Sequence, residues 1–189
     1  MMGKRHLFVG VFVFILVLAI IIVYFLLPRW NDNIGVFNIS SKHEYKVDNS
    51  NYWIRIETLK IKAPITKNVD GENRKEYNDV LTRSLAHYKG SSLPDGNSNV
   101  FIFGHSSNDD DRGSYSNIFA KLNSLTKGDK ITIFYGGKYY NYYVSEKKVV
   151  RSNDVSVLTQ GDKKILTLMT CWPIGTKDKR LVVTATLDK

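Results

Sequence analysis

Hydrophobic and polar positions divide the chain sharply near residue 28. Leu7 to Leu27 reads LFVGVFVFILVLAIIIVYFLL, without one charged side chain. A helix of that length, at about 1.5 Å per residue, spans roughly 30 Å, the thickness of a bilayer's hydrocarbon layer. A cleaved signal peptide has an apolar core of only about 7–15 residues and ends in a small-residue site. Phe25-Leu26-Leu27-Pro28 offers no such site. The run therefore predicts a retained transmembrane helix over 7–27. Lys4 and Arg5 hold residues 1–6 on the cytoplasmic side, and Trp30 suits the outer interface.

Residues 28–52 are polar, with Asn and Ser throughout, and read as an extracytoplasmic tether. From Trp53 the apolar period falls to two. Trp53–Glu57 and Leu59–Lys62 alternate, the second ending at Ala63-Pro64-Ile65. Residues 70–92 are polar, with a short helix around Lys75–Leu85. Asn99 to Gly104 is a continuous apolar run, the mark of a buried strand. Asn108–Ser116 is an acidic, turn-rich loop, and Ile118–Leu122 a helical turn. Gly136-Gly137 lies between alternating runs at Lys130–Tyr135 and Lys138–Val144, which predicts a hairpin. Lys147–Arg151, Ile165–Thr170 and Leu181–Leu187 are further strands. Seven or eight short strands with at most two short helices predict an all-β barrel or sandwich, residues 53–189 forming one domain.

Composition narrows the classes. Hydrophobic residues at 43% and charged residues at 24% exclude a disordered chain. The single Cys excludes a disulfide scaffold and a Cys-rich zinc module. The net charge of +9 is spread along the chain with no basic run interleaved with aromatics, so no nucleic-acid partner is expected. A position near anionic lipids and wall polymers accounts for it.

The candidate chemistry centres on Cys171, at the end of the strand Ile165–Thr170 and before Trp172-Pro173. Alternation leaves two readings open, a buried core thiol and a reactive one at the barrel rim. Of the four histidines, His6 precedes the apolar run, His43 lies in the tether and His87 in the polar segment. His105 ends the apolar strand directly after Gly104 and can reach a neighbouring strand end. Arg180 comes nine positions after Cys171, a spacing that returns it beside the thiol across a hairpin. An arginine there can donate to an oxyanion. Asn108-Asp109-Asp110-Asp111 lacks the spacing of a calcium loop and reads as solvated, so no metal is expected.

Thr167-Leu168-Met169-Thr170-Cys171 resembles the sortase signature Thr-Leu-x-Thr-Cys. Arg180-Leu181-Val182-Val183 resembles that family's arginine strand, and Phe103-Gly104-His105-Ser106 its histidine strand end. Ala63-Pro64-Ile65, the segment from Ala86 to Pro94, and Phe119-x-x-Leu122-x-x-Leu125-x-x-Gly128-Asp129 resemble further blocks in the same order. The resemblance implies an eight-stranded sortase-like β-barrel with one or two short helices, following a transmembrane helix. It implies a cofactor-free cysteine transpeptidase that cuts a Leu-Pro-x-Thr-Gly type sorting motif of secreted proteins. The acyl group then passes to an amine of a cell wall precursor or a pilin subunit. In that frame Cys171 is the nucleophile, His105 the general acid and base, and Arg180 the group on the acyl carbonyl. Thr170 lies beside substrate and oxyanion, and the backbone N–H of Trp172 is a further oxyanion donor. A sortase-fold hydrolase or pilin polymerase is the enzymatic rival. A catalytically inactive membrane-anchored barrel that binds a wall polymer is the non-enzymatic one.

The apolar run generates the first prediction. Mass spectrometry of the membrane fraction finds the N-terminal peptide on the mature protein; a mature start near residue 28 overturns the anchor.

Overall fold

The computed structural model describes residues 51–107 and 115–188. The Leu7–Leu27 run, most of the 28–52 tether, His6, His43 and the Asn108–Asp111 stretch lie outside them. Among the described residues no helix is long and apolar enough to cross a membrane.

Eight strands close into a barrel: β1 (Tyr52–Ile56), β2 (Ile61–Val69), β3 (Leu85–Tyr88), β4 (Asn99–Phe103), β5 (Lys130–Tyr135), β6 (Lys138–Arg151), β7 (Ile165–Trp172) and β8 (Lys179–Leu187). Their order around the barrel is β1-β2-β3-β4-β7-β8-β6-β5, with β5 pairing back onto β1. The β2–β3 and β4–β7 pairs are parallel and the others antiparallel. This is the eight-stranded barrel that the resemblance implies, and it decides between the barrel and the sandwich left open by the strand pattern.

Alternation fills the interior. Ile54, Ile56, Ala63, Ile65, Leu166 and Leu168 are among the residues that pack there, all nearly without exposure. Phe119, Leu122 and Leu125, spaced by three, join the same core from a tight turn that ends in a 3-10 helix at Leu122–Ser124. A spacing of three suits a 3-10 turn, whose side chains eclipse at that interval. The hairpin between β5 and β6 forms at Gly136-Gly137, where both φ values are positive (56° and 81°). A two-residue turn that follows strand twist requires that geometry.

Outside the barrel lies a second apolar cluster. The helix α1 (Arg74–Leu81) lays Val80 and Leu81 against Val69, Ala86, Phe101 and Phe103. Strand β4 is thus buried on both faces, which accounts for its unbroken apolar sequence. Asn73 caps α1 by accepting from Glu76 N (3.2 Å). The helix stops at Leu81, short of the expected Leu85: Thr82 N and Arg83 N close tighter i→i−3 bonds onto Asp79 O and Val80 O, and Leu85 begins β3.

Two strand expectations change. Lys138–Val144 and Lys147–Arg151 are one strand, β6, whose pairing with β8 shifts register between Val144 and Glu146. The missing strand is β3, in the segment that reads as polar. It carries His87 inside the barrel, fully buried. The imidazole Nδ1 accepts from Asn68 N–H (3.2 Å) and Nε2 lies 3.0 Å from Ser92 O, where it donates in the neutral tautomer. Both ring nitrogens are satisfied, so a polar residue occupies a core position.

Burial, with a smaller contribution from Lys67, holds His87 below its ordinary pKa near 6.5, against an opposing hydrogen bond to Ser92 O. The unfolded chain then binds the proton more readily than the folded one. This stabilisation is complete above about pH 6.5 and is lost as pH falls through the folded value. Unfolding midpoints measured from pH 7.5 to 5.5 should decline, and His87→Gln, which keeps a donor and an acceptor, should flatten the decline. An unchanged slope in that variant rejects the assignment.

Candidate active site

Parallel pairing of β4 and β7 sets Phe103 opposite Met169 and brings both strand ends to one rim. Beyond the last pair, Gly104 N donates to Met169 O (3.2 Å) and Thr170 Oγ1 donates to Gly104 O (2.8 Å). A Cβ at Gly104 would lie 2.5 Å from Leu85 Cδ2 and 3.0 Å from Phe119 Cδ2, so any larger residue there requires the buried Leu85 to shift. His105 follows, its carbonyl accepting from Phe119 N (3.0 Å). Ser106, buried, donates through Oγ to Cys171 O (2.8 Å). The histidine therefore sits in a segment tied on both sides to β7.

Cys171 faces Arg180 directly in the β7–β8 ladder. Arg180 Nη1 donates to Lys177 O and Lys179 O, each at 3.0 Å. These bonds orient the fork, and a guanidinium has five N–H donors, so others remain for a ligand. His105, Cys171 and Arg180 are all half-buried and line one cavity of about 750 Å³. Its floor includes Phe103 and Met169, α1 forms one wall through Tyr77 and Asn78, and residues 152–158 form the other.

Thr170 also borders this cavity, but it is only 2% exposed and its hydroxyl is engaged by Gly104. The Trp172 side chain packs inward on the barrel core and does not line the cavity. Its backbone N–H is next in chain to Cys171, and the Trp172–Pro173 peptide is cis. Asp154, in the 152–158 wall, accepts from Ser156 N (3.0 Å); the Ser156 hydroxyl and amide hold its carboxyl below the usual range. No group of three or more His, Cys, Asp or Glu side chains gathers to hold a metal among the described residues.

Three residues here carry no role in the sequence reading. Ser106 and Gly104 are within the histidine block, where only geometry separates them from an ordinary loop. Asn99 is the third. Its Nδ2 donates to Val157 O (3.2 Å) and its Oδ1 accepts from Thr167 Oγ1 (2.8 Å). It thereby clamps the 155–158 turn onto the sheet and fixes the wall opposite α1. The signal was a lone amide at the start of an apolar strand.

Residues 54–188 match the family described as Sortase domain. The chain belongs to the sortase family. This sortase is 27% identical over 134 residues to Sortase D of Bacillus subtilis (strain 168). That match covers 69% of this chain, and the chain spans about 60% of the length of that curated relative. Its fold is similar to the Sortase D5 transpeptidase of Clostridium perfringens, with TM-score 0.61 and 26% identity over 74% of this chain and 79% of that one. It is also similar to Clostridium perfringens sortase C solved with the C-terminal cell wall sorting motif. There the TM-score is 0.60 at 26% identity, over 72% of this chain and 69% of that one.

The clamp on the cavity wall gives a prediction. Asn99→Ala removes a buried amide and leaves the Thr167 hydroxyl without its acceptor, a loss of about 1–3 kcal/mol. Denaturant unfolding should register that loss, and amide exchange across 155–161 should quicken while exchange in β8 holds. Uniform acceleration across the barrel would show that Asn99 does not act on the wall.

Proposed function

We propose that this sortase is a membrane-anchored cysteine transpeptidase acting on a Leu-Pro-x-Thr-Gly type motif. The observation that carries the reading is the convergence of Cys171, His105 and Arg180 on one open cavity at one barrel rim. The similarity to Clostridium perfringens sortase C, solved with a C-terminal cell wall sorting motif, supports a sorting-motif peptide as the substrate. The apolar floor at Phe103 and Met169 suits the Leu and Pro side chains of such a peptide.

In the first step the Cys171 thiolate, the reactive form of a thiol, attacks the threonine carbonyl carbon. The C=O electron pair moves onto oxygen, and Arg180 N–H groups with the Trp172 backbone N–H stabilise the charge. The intermediate collapses as His105 protonates the leaving glycine nitrogen and the C–N bond breaks. A thioester on Cys171 remains. An acceptor amine then attacks it, His105 takes the amine proton, and the C–S bond breaks to release the new amide and the thiolate. Thr170 and Ser106 act through position, the first on Gly104 beside His105 and the second on the Cys171 carbonyl. The acceptor is an amine of a cell wall precursor or a pilin lysine.

Residues 7–27 anchor the protein in the cell membrane with residues 1–6 cytoplasmic, residues 28–52 are the tether, and residues 53–189 work outside. The basis is the charge-free run and its basic lead.

Sorting-motif peptides incubated with a glycine-like or lysine-like amine and read by mass test the reaction. Ligated peptide is expected in place of free acid. Cys171→Ala should abolish acyl-enzyme, since the chain has one Cys. Arg180→Ala should lower turnover about 10²–10³-fold and leave the thiol alkylatable. His105→Ala should stall acylation, with a loss of about 10²–10⁴-fold. Cleavage and ligation by Cys171→Ala at the wild-type rate rejects the mechanism.

A further inference from the structure

The barrel carries an aromatic surface that the reaction above does not use. Trp53 of β1 pairs with Phe134 of β5, which pairs with Tyr139 of β6. The Trp53 and Phe134 rings stack at 5.2 Å, and Tyr139 meets both at 5.9 and 5.1 Å. All three point away from the interior, and Tyr139 is 63% exposed. Lys62 Nζ sits 5.3 Å over the Trp53 ring, and Lys138 stands exposed at the neighbouring hairpin. The outward positions of β1, β2 and β5 carry Arg55, Lys62 and Lys130, and Arg55 pairs with Glu57 just beyond β1 (3.0 Å). Asp95 acts on the inward Tyr52 and Tyr140.

This surface has a defined place. Strand β1 runs antiparallel to β2, β2 parallel to β3, and β3 antiparallel to β4, so β1 and β4 point the same way. The start of β1 is therefore at the barrel end opposite His105 and Cys171. It is also where the chain enters the barrel, 25 positions after Leu27.

We propose that the outer face around Trp53, Phe134 and Tyr139 seats on the headgroup region of an anionic phospholipid bilayer. The proposal rests on the anchor proposed for Leu7–Leu27. Tryptophan and tyrosine partition to that region, and Lys62 and Lys138 meet its negative charge. A sugar-binding platform needs an open ring face, whereas Trp53 is stacked on Phe134 and overlaid by Lys62. Seated this way, the protein turns the Cys171 rim away from the lipid, toward peptides arriving from outside.

The test uses the full chain in vesicles of phosphatidylcholine and phosphatidylglycerol, with Cys171→Ser freeing thiol chemistry for one spin label. Lys138→Cys places the label beside the aromatic face, and Lys177→Cys places it at the opposite rim. The ratio of oxygen to nickel-chelate collisions, which rises on contact with lipid, should be about threefold higher at 138 than at 177. Trp53→Ser with Tyr139→Ser should bring the two into line. Lys62→Glu, which leaves the barrel interior untouched, should lower the ratio at 138 in the same direction. Equal ratios at 138 and 177 in protein that floats with the vesicles overturn the proposal and leave the anchor standing. Protein that does not float removes the anchor and this proposal together. Shielding of the 138 label by soluble glycan strands in place of lipid also overturns it.

Discussion

The site depends on the parallel pairing of β4 with β7. Antiparallel neighbours put the end of one strand beside the start of the next; parallel ones bring two C-terminal ends to the same rim. Residues that follow the two strands are then neighbours although 66 positions separate His105 from Cys171. Parallel strands need a long connection, and here it contains β5 and β6, which complete the barrel. The pairing is secured past its last register pair by Gly104 N on Met169 O and by Ser106 Oγ on Cys171 O. Arg180 arrives by a different rule, the direct antiparallel register of β7 and β8.

Much of this was legible along the chain because period-two alternation and turn residues are local signals. The Gly136-Gly137 hairpin, the buried β4 run and the return of Arg180 opposite Cys171 all follow from spacing. What escaped was set by tertiary context. Strand β3 holds four residues, and His87 masks its pattern; only the barrel supplies Asn68 N–H and Ser92 O to satisfy the ring. The single strand β6 looked like two because the register shift at Ser145 breaks alternation without ending the strand. The cavity wall at 152–158 could not be read, since its position depends on the amide of Asn99 far earlier in the chain.

The two described histidines separate on the same grounds. His87 has both nitrogens occupied in the barrel interior, where charging it is opposed by burial. His105 is half-buried at the rim and borders the cavity. The sequence sets His105 apart by its place just after the apolar strand; the structure adds that His87 lies within β3 on its inward face, whereas His105 follows the end of β4 at the rim.

The run Thr167-Leu168-Met169-Thr170-Cys171 now has a physical reading. Alternation sends Thr167 to the outer face and Thr170 inward, so two similar side chains serve two different neighbours. Thr167 bonds Asn99, whose amide holds the 155–158 wall. Thr170 bonds Gly104 O, immediately before His105. Leu168 between them lies in the barrel core and Met169 on the cavity floor. A hydroxyl at each threonine position thus converts one strand into a frame that locates a cavity wall and the histidine against the sulfur at its end. Valine at either position would keep the β-branched shape and remove the bond, leaving a buried carbonyl or amide oxygen with one fewer donor.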